Sequence, residues 1–257
     1  RLLCQGLNAV VPGHAQWTVL FDIATTDLVA LVETSSIHKY MVGSSAAVGT
    51  RWLSRQDSRS VGLIGSGNMA RACLRAICAV RPISQVRVYS PNPERREACA
   101  REGANTLRID VQAVSSAEEA VRDTDIVCTA TTNEARREQP AVFDGAWLRP
   151  GTHLTSIGDW ELDETSILRG TVFAPSAEQR HLEWQPLKTM LASGQITPAD
   201  FGPPVAELVS RRQSGRTSSA AITVYLSASI ASHNVAIGAW VYREALRQGI
   251  GLNWELG

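Results

Sequence analysis

Apolar and polar positions follow two different rhythms along the chain, and the change comes near residue 60. Residues 17–34 alternate apolar with polar side chains, are rich in β-branched residues and contain a polar turn at residues 25–27, which predicts a β-hairpin. Residues 42–55 are rich in small side chains with helical spacing and predict a helix. The polar run 56–60 that follows is typical of a domain junction.

From residue 61 onward, short apolar runs alternate with amphipathic stretches. This alternation predicts a parallel sheet with helices on both of its faces. Proline opens one helix at Pro93, and either Ser115 or Ser116 caps another. Strands are predicted at 61–64, 86–90, 126–130, near 158, 171–174 and 222–226, and helices at 69–79, 93–101, 188–193 and from about 230 to 249.

Composition narrows the classes of protein to which the chain can belong. Its 257 residues are 44% hydrophobic and 19% charged, and Lys+Arg and Asp+Glu both number 25, so nothing global points to nucleic acid or an anionic membrane. No run approaches the roughly 20 apolar residues of a membrane span. The five cysteines form no CxxC pair and the five histidines no HxH or HxxxH pair, so we expect reduced thiols, a cytoplasmic protein and no metal site.

The stretch VGLIGSGNMARACLRA, residues 61–76, is the first that indicates a particular ligand. Gly65 permits a tight turn after a strand, Gly67 lets backbone approach a pyrophosphate, and Ala70 allows the following helix to pack closely on the strand. The alternative is a strand–turn–helix that binds nothing. The dinucleotide interpretation predicts a Rossmann-type doubly wound sheet with a cofactor-binding loop of Gly65, Ser66, Gly67, Asn68, Met69 and Ala70.

The end of the second strand bears on the choice between NAD and NADP. An acidic residue that would bind the NAD ribose is expected there, but the sequence has Ser90, followed by Asn92, Arg95 and Arg96. Without a carboxylate to repel a 2′-phosphate, and with Ser90, Asn92 and the arginines able to bind one, NADP is favoured and NAD is the alternative. The competing interpretation is that both arginines are solvated charges on a helix face.

Two later strands end in polar residues at the edge where open α/β sheets bind ligands. The hydroxyls of Thr129 and Thr131, flanking Ala130, either line the nicotinamide or cap the next turn, and Ile157 ends the neighbouring strand. Asp159 is the candidate acid/base group, although an Asp at this position is also a common turn residue. No Gly-x-Ser-x-Gly elbow or Ser/His/Asp order indicates a hydrolase.

Nine stretches along nearly the whole chain carry a resemblance to a known family: TVLFDIATTDLVALVE, VGSSAAVGTRWLSRQDS, VGLIGSGNMA, RPISQVRVYS, AVRDTDIVCTATT, WLRPGTHLTSIG, ELDETSI, AELVSRRQSGR and YREALRQGIG. In this order they resemble the ornithine cyclodeaminase/μ-crystallin family. The resemblance implies hydride transfer at the α-carbon of a small amino or imino acid, by an NAD(P)-dependent imine reductase or amino-acid dehydrogenase. Two alternatives stay open: a cyclodeaminase that releases ammonia from ornithine or lysine with bound NAD, and a non-catalytic NADPH-binding protein.

The resemblance also implies a homodimer with two α/β domains in each protomer. Residues 60–221 would bind the dinucleotide, and residues 1–59 with 222–257 would form a substrate-binding and dimerisation domain. Asp159 matches the family's catalytic aspartate at the end of a shorter loop. Met41 stands where the family has a carboxylate-binding arginine, and Ser229 and Asn234 also depart from the family pattern. Lys39, two positions from Met41, is the second candidate catalytic residue beside Asp159.

Overall fold

The computed structural model describes residues 2–4, 15–131, 141–158, 161–177, 184–227 and 231–253. Two short 3₁₀ turns, Gly145–Trp147 and Pro198–Asp200, accompany the regular elements. In chain order these elements are β1 (Leu2–Cys4), β2 (Ala15–Phe21), β3 (Leu28–Glu33), α1 (His38–Leu53), β4 (Ser60–Ile64), α2 (Asn68–Val80), β5 (Gln85–Tyr89), α3 (Pro93–Leu107), β6 (Asp110–Ala113), α4 (Ala117–Val121), β7 (Ile126–Thr129), β8 (His153–Ser156), α5 (Glu164–Arg169), β9 (Thr171–Phe173), α6 (Leu187–Ala192), α7 (Val205–Val209), β10 (Thr223–Leu226) and α8 (Ala231–Gln248).

The chain divides into two compact units. Arg1–Met41 and Ser229–Gly257 form the smaller unit, and Val42–Ala228 the larger one. The predicted boundaries lay at 59/60 and 221/222, so this division differs from the prediction by moving most of α1 and all of β10 into the larger unit. The reason for β10 is its pairing, since it lies between β8 and β9 in the large sheet.

In the smaller unit, the predicted hairpin is an antiparallel pair. β2 pairs with β3 and also with β1, with Val19 opposite Leu31. Alternate side chains Thr18, Leu20 and Val32 are buried on one face, to which α8 contributes. The approach is close there, because a Cβ atom at Gly238 of α8 would lie 2.9 Å from the Thr18 methyl carbon.

The larger unit confirms the predicted parallel sheet. Seven strands lie in the order β6-β5-β4-β7-β8-β10-β9, and every neighbouring pair is parallel. The chain progresses from β4 outward in one direction through β5 and β6, then returns to the other side of β4 with β7. Such a reversal opens a crevice at the carboxyl ends of β4 and β7, where ligands of doubly wound sheets bind.

Burial explains why the central strands read as apolar runs. β7, β8 and β10 are buried at every position, as is β4 after Ser60, which is the pattern of strands covered on both faces. The strand β6 was not predicted, because three of its four residues are exposed, only Val111 is half-buried, and it lies at the sheet edge. Helix α3 runs to Leu107 rather than ending near residue 101.

Helix caps agree with the sequence. The Ser116 hydroxyl accepts the Glu119 N–H at 3.1 Å, which settles the choice between Ser115 and Ser116. The Asn92 side chain accepts the Arg95 N–H at 2.9 Å, directly before the predicted opening proline.

None of the helices in the described part of the chain is long and apolar enough to cross a membrane.

The amino edge of the sheet is held by a buried carboxylate, Asp125. It accepts the backbone N–H groups of Arg59 (2.7 Å) and Ser60 (3.1 Å) and forms ion pairs with Arg55 (2.5 Å) and Arg149. Burial by itself would raise the pKa of Asp125, but these N–H donors, the Ser60 hydroxyl and the Arg55 charge outweigh it and leave that pKa below its usual value. Asp125 thus links the starts of β4 and β7.

Candidate functional site

The turn after β4 requires glycine at its first position. Gly65 has φ of +116°, and a Cβ atom there would lie 2.2 Å from the Ala130 carbonyl oxygen. The Gly65 N–H donates to the Tyr89 carbonyl oxygen at 2.8 Å. The turn is therefore confined between the carboxyl ends of β5 and β7, at the crevice that the strand order creates.

Gly67 meets the opposite environment. A Cβ atom at Gly67 would find no protein atom within 4 Å, and both Gly67 and Asn68 are exposed. Gly67 is the N-cap of the 13-residue helix α2 and makes no side-chain capping bond, so the first-turn N–H groups and the positive end of the helix dipole face open space. Met69 is half-buried, and Ala70 is fully buried beneath the turn. This cradle fits the pyrophosphate of a dinucleotide.

The end of β5 offers hydroxyls and arginine in place of a carboxylate. The hydroxyls of Ser66 and Ser90 are 2.8 Å apart, which ties the glycine turn to the second strand. Arg96 donates to the Ser90 carbonyl oxygen at 3.1 Å and lies over the Tyr89 ring, so its guanidinium supports the turn. Arg95 is exposed, and its guanidinium forms no ion pair within the described part of the chain.

At the carboxyl ends of β7 and β8 the structure reveals a residue that the sequence did not single out, Glu161. Its side chain is fully buried. Its Oε1 accepts the Thr131 N–H and the Thr131 hydroxyl (2.7 Å), and its Oε2 accepts the Thr129 hydroxyl (2.7 Å), the Gly158 N–H (2.8 Å) and the Ser156 hydroxyl (3.1 Å). One carboxylate therefore fixes the ends of two neighbouring strands.

These contacts sort the predicted rim residues by what they can reach. Thr129 is fully buried and Ala130 nearly so, and the hydroxyls of Thr129 and Thr131 are turned towards Glu161. Thr131 and Ile157 are half-buried, and the Ile157 N–H donates to the Thr129 carbonyl oxygen at 3.0 Å. The signal that could have found Glu161 is a carboxylate five residues after the end of β8, where the neighbouring strand β7 ends at a threonine.

Comparison with known proteins identifies the family. Residues 5–249 match the ornithine cyclodeaminase/mu-crystallin family. This chain belongs to that family. A Delta(1)-pyrroline-2-carboxylate reductase of Paracoccus denitrificans is 30% identical over 231 residues, covering 88% of this chain and 71% of the relative.

Solved structures of other proteins are also similar to this chain. A Delta(1)-pyrroline-2-carboxylate reductase of Thermococcus litoralis, in complex with NADH and L-proline, is 32% identical, with a TM-score of 0.85 over 92% of this chain and 73% of that one. An archaeal alanine dehydrogenase dimer with bound NAD has a TM-score of 0.87 over 97% of this chain and 77% of that one; at 23% identity it shows the shared fold.

The structure describes some of the predicted substrate-binding and catalytic residues and not others. Asp159 and Ser229 lie outside the described residues, so their roles stay predictions. Lys39 lies in α1 within the smaller unit, half-buried, with its ammonium 5.1 Å from the Tyr40 ring centre. Met41, where other family members are expected to have arginine, is buried, and so is Asn234. Within the described residues, no group of three His, Cys, Asp or Glu side chains could hold a metal ion.

Proposed function

We propose that this protein is an NAD(P)-dependent imine reductase whose substrate is a small cyclic imino acid of the Delta(1)-pyrroline-2-carboxylate type. The observation that carries the proposal is the cradle formed by Gly65 and Gly67, in a chain 32% identical to a reductase that binds NADH and L-proline. Relatives with the same reductase name in Bacillus cereus, 27% identical, support the same substrate class. Reduction adds hydride to the C=N carbon and a proton to the nitrogen, which gives an amino acid.

The residues of the chain divide the work of binding and orientation. A bound nicotinamide supplies the hydride. The α2 N-terminus behind Gly67 holds the pyrophosphate, and the rim at Thr131 and Ile157 receives the nicotinamide side. Asp159 is proposed to deliver the proton to the nitrogen, and Lys39 to bind the substrate carboxylate in place of the family's arginine.

NADP is proposed as the preferred cofactor, with NAD as the alternative. Ser90 and Asn92 leave the end of β5 without a carboxylate that would repel a 2′-phosphate. The exposed guanidinium of Arg95, which forms no ion pair among the described residues, lies in the first turn of α3 directly after them. Comparing the dissociation constants of NADPH and NADH by fluorescence titration tests this assignment directly.

A homodimer is proposed on the basis of an uncovered apolar face in the smaller unit. Trp17, Phe21, Val29 and Leu31 are exposed on β2 and β3, and Val19 pairs with Leu31 on this face. A contiguous apolar face of this kind usually marks a protein–protein contact. We also propose a cytoplasmic location, in keeping with the buried free thiols of Cys73, Cys99 and Cys128.

Purified protein tests the catalytic proposal by oxidation of NADPH or NADH with Delta(1)-pyrroline-2-carboxylate and with linear imines formed from keto acids and amines. Consumption of reduced cofactor with formation of proline is expected. Ammonia release from ornithine or lysine without net cofactor consumption would instead identify a cyclodeaminase. Buried Met41 favours one further candidate, a dinucleotide-binding protein without turnover, which cofactor binding without any hydride transfer would establish.

A further inference from the structure

We propose that Glu161 is a positioning residue that fixes the nicotinamide-facing rim of the site, and that it does so without touching cofactor or substrate. The inference rests on the proposed dinucleotide site. Glu161 is fully buried, so its carboxylate acts through the groups that donate to it. Those groups lie where the regular hydrogen bonding of β7 and β8 ends.

The two carboxylate oxygens hold different parts of the rim. Oε1 accepts both donors of Thr131, the second residue after β7. Oε2 accepts the N–H of Gly158, the second residue after β8 (2.8 Å), together with the buried hydroxyls of Thr129 and Ser156. An ionised carboxylate only accepts hydrogen bonds, and each of the five hydrogen bonds that the described residues make to it comes from an N–H or a hydroxyl group.

The position of this network relates it to the nicotinamide half of a dinucleotide. The pyrophosphate cradle lies after β4, with the Ser90 end of β5 on one side and the β7–β8 rim on the other. Because Ser90 marks the ribose of the adenosine half, the other half extends over the rim that Glu161 holds. Ala130 keeps its own place, since its N–H donates to the Ile64 carbonyl oxygen at 2.8 Å. The cradle therefore does not depend on Glu161.

The same sheet supplies a matched control at its opposite edge. Asp125 is also a buried carboxylate, and it also joins the ends of neighbouring strands through N–H and hydroxyl donors. It lies at the amino ends of β4 and β7, away from the ligand crevice. Replacing either carboxylate by its amide turns one acceptor into a donor that opposes existing donors. Loss of stability is expected from both changes, and loss of nicotinamide positioning only from Glu161→Gln.

The experiment compares NADPH with 2′-phospho-ADP-ribose, the same molecule without the nicotinamide, on wild-type protein, E161Q and D125N. We expect E161Q to weaken NADPH binding about tenfold while the fragment binds within about twofold of wild type. D125N should lower the melting temperature without separating the two ligands. Equal weakening of both ligands by E161Q, or no weakening, would overturn the proposal.

A milder variant covers the case in which E161Q does not fold. Ser156→Ala removes one donor to Glu161 at a fully buried position, and it should weaken NADPH binding about two- to threefold while sparing the fragment. The same weakening of both ligands would count against the proposal. Because both titrations need no substrate, they stay informative if the wild-type protein reduces no imine, an outcome that would refute the proposed reductase activity and not the role of Glu161.

Discussion

The Ala130 carbonyl oxygen lies 2.2 Å from where a Cβ atom on Gly65 would stand, whereas a Cβ atom on Gly67 would meet nothing within 4 Å. The two glycines of this turn are therefore needed for different reasons. Gly65 is required by the protein's own backbone, and Gly67 leaves space in front of a helix N-terminus. Substitutions can separate these two roles, because the role of Gly65 concerns folding and the role of Gly67 concerns binding.

Gly65→Ala should destabilise the protein in the absence of any cofactor. The added methyl group would clash with the Ala130 carbonyl in a backbone conformation that alanine disfavours, at a cost of roughly 2–4 kcal/mol in the free energy of unfolding. Chemical denaturation of the cofactor-free protein measures this loss. An unchanged unfolding midpoint would show that the turn does not have the described conformation.

Gly67→Leu should do the reverse. The side chain would enter open space, so the free energy of unfolding should fall by no more than about 1 kcal/mol, the effect of a less favourable N-cap residue. It would also cover the first-turn N–H groups, and losing two hydrogen bonds to a charged phosphate should weaken NADPH binding by at least about a hundredfold. Isothermal titration checks this, and wild-type affinity in the variant would contradict the pyrophosphate cradle.

Sequence patterns could predict the larger unit well because each of its signals is local. The alternation of strands and helices and the Ser116 cap arise from neighbours in the chain. The glycine pattern that predicts the turn at Gly65 is also local, although Tyr89 and Ala130 hold that turn in the fold. The strand β6 was not predicted because its mostly exposed residues are held by pairing with β5, and helix α3 separates the two strands in the chain. The position of β10 between β8 and β9 likewise depends on contacts distant in sequence.

The residues of the candidate site also differ in whether a local sequence signal could predict them. Gly65, Gly67 and Ala70 are predictable because one turn and one helix contain the whole cradle. The role of Glu161 depends on two strands that are adjacent in space but separated by more than twenty residues in the chain, as the pairing of Thr129 with Ser156 shows. No spacing rule within a single segment could have revealed it.

Arg95 should contribute to NADPH binding and not to NADH binding. Its exposed guanidinium would meet only the 2′-phosphate, so Arg95→Ala should raise the NADPH dissociation constant about fivefold, corresponding to about 1 kcal/mol for a solvated contact. Arg101→Ala is the matched control, since Arg101 lies on the same helix and pairs at 3.7 Å with Glu97. Equal effects of the two variants, or an equal loss for NADH, would argue against a phosphate contact.

The apolar face of the smaller unit should control assembly. Phe21→Glu would place a charge on the strand pair that exposes Trp17 and Leu31, and it should raise the dimer dissociation constant roughly a hundredfold. Ile23→Glu alters a residue that is 99% exposed in the turn after β2 and should leave assembly unchanged. Sedimentation velocity over a range of concentrations distinguishes the two variants. A wild-type protein that sediments as a monomer would refute the proposed dimer.

His153 should make the protein sensitive to acid. Burial, followed by the charges of Arg216 and Arg81, lowers its pKa to about 3, although its Nδ1 lies 2.9 Å from the Thr223 hydroxyl. The folded protein keeps this imidazole neutral, while the unfolded chain takes up a proton below about pH 6.5, so stability is complete above pH 6.5 and falls as the pH drops towards 3. The slope for one such group is about 1.4 kcal/mol per pH unit at most.

His153→Asn should flatten this dependence between pH 6.5 and 4. The amide can retain a bond to Thr223, and the smaller side chain should cost roughly 1–3 kcal/mol at pH 7. Other groups with a lowered pKa remain in the variant. Burial lowers the pKa of His233, and hydrogen bonds lower the pKa of the carboxyl groups of Asp125, Glu33 and Glu244, which make stability fall only below their usual range near pH 4. Urea denaturation at pH 7, 5.5 and 4.5 compares the variant with wild type. Parallel losses in the two proteins would mean that His153 takes up its proton without unfolding.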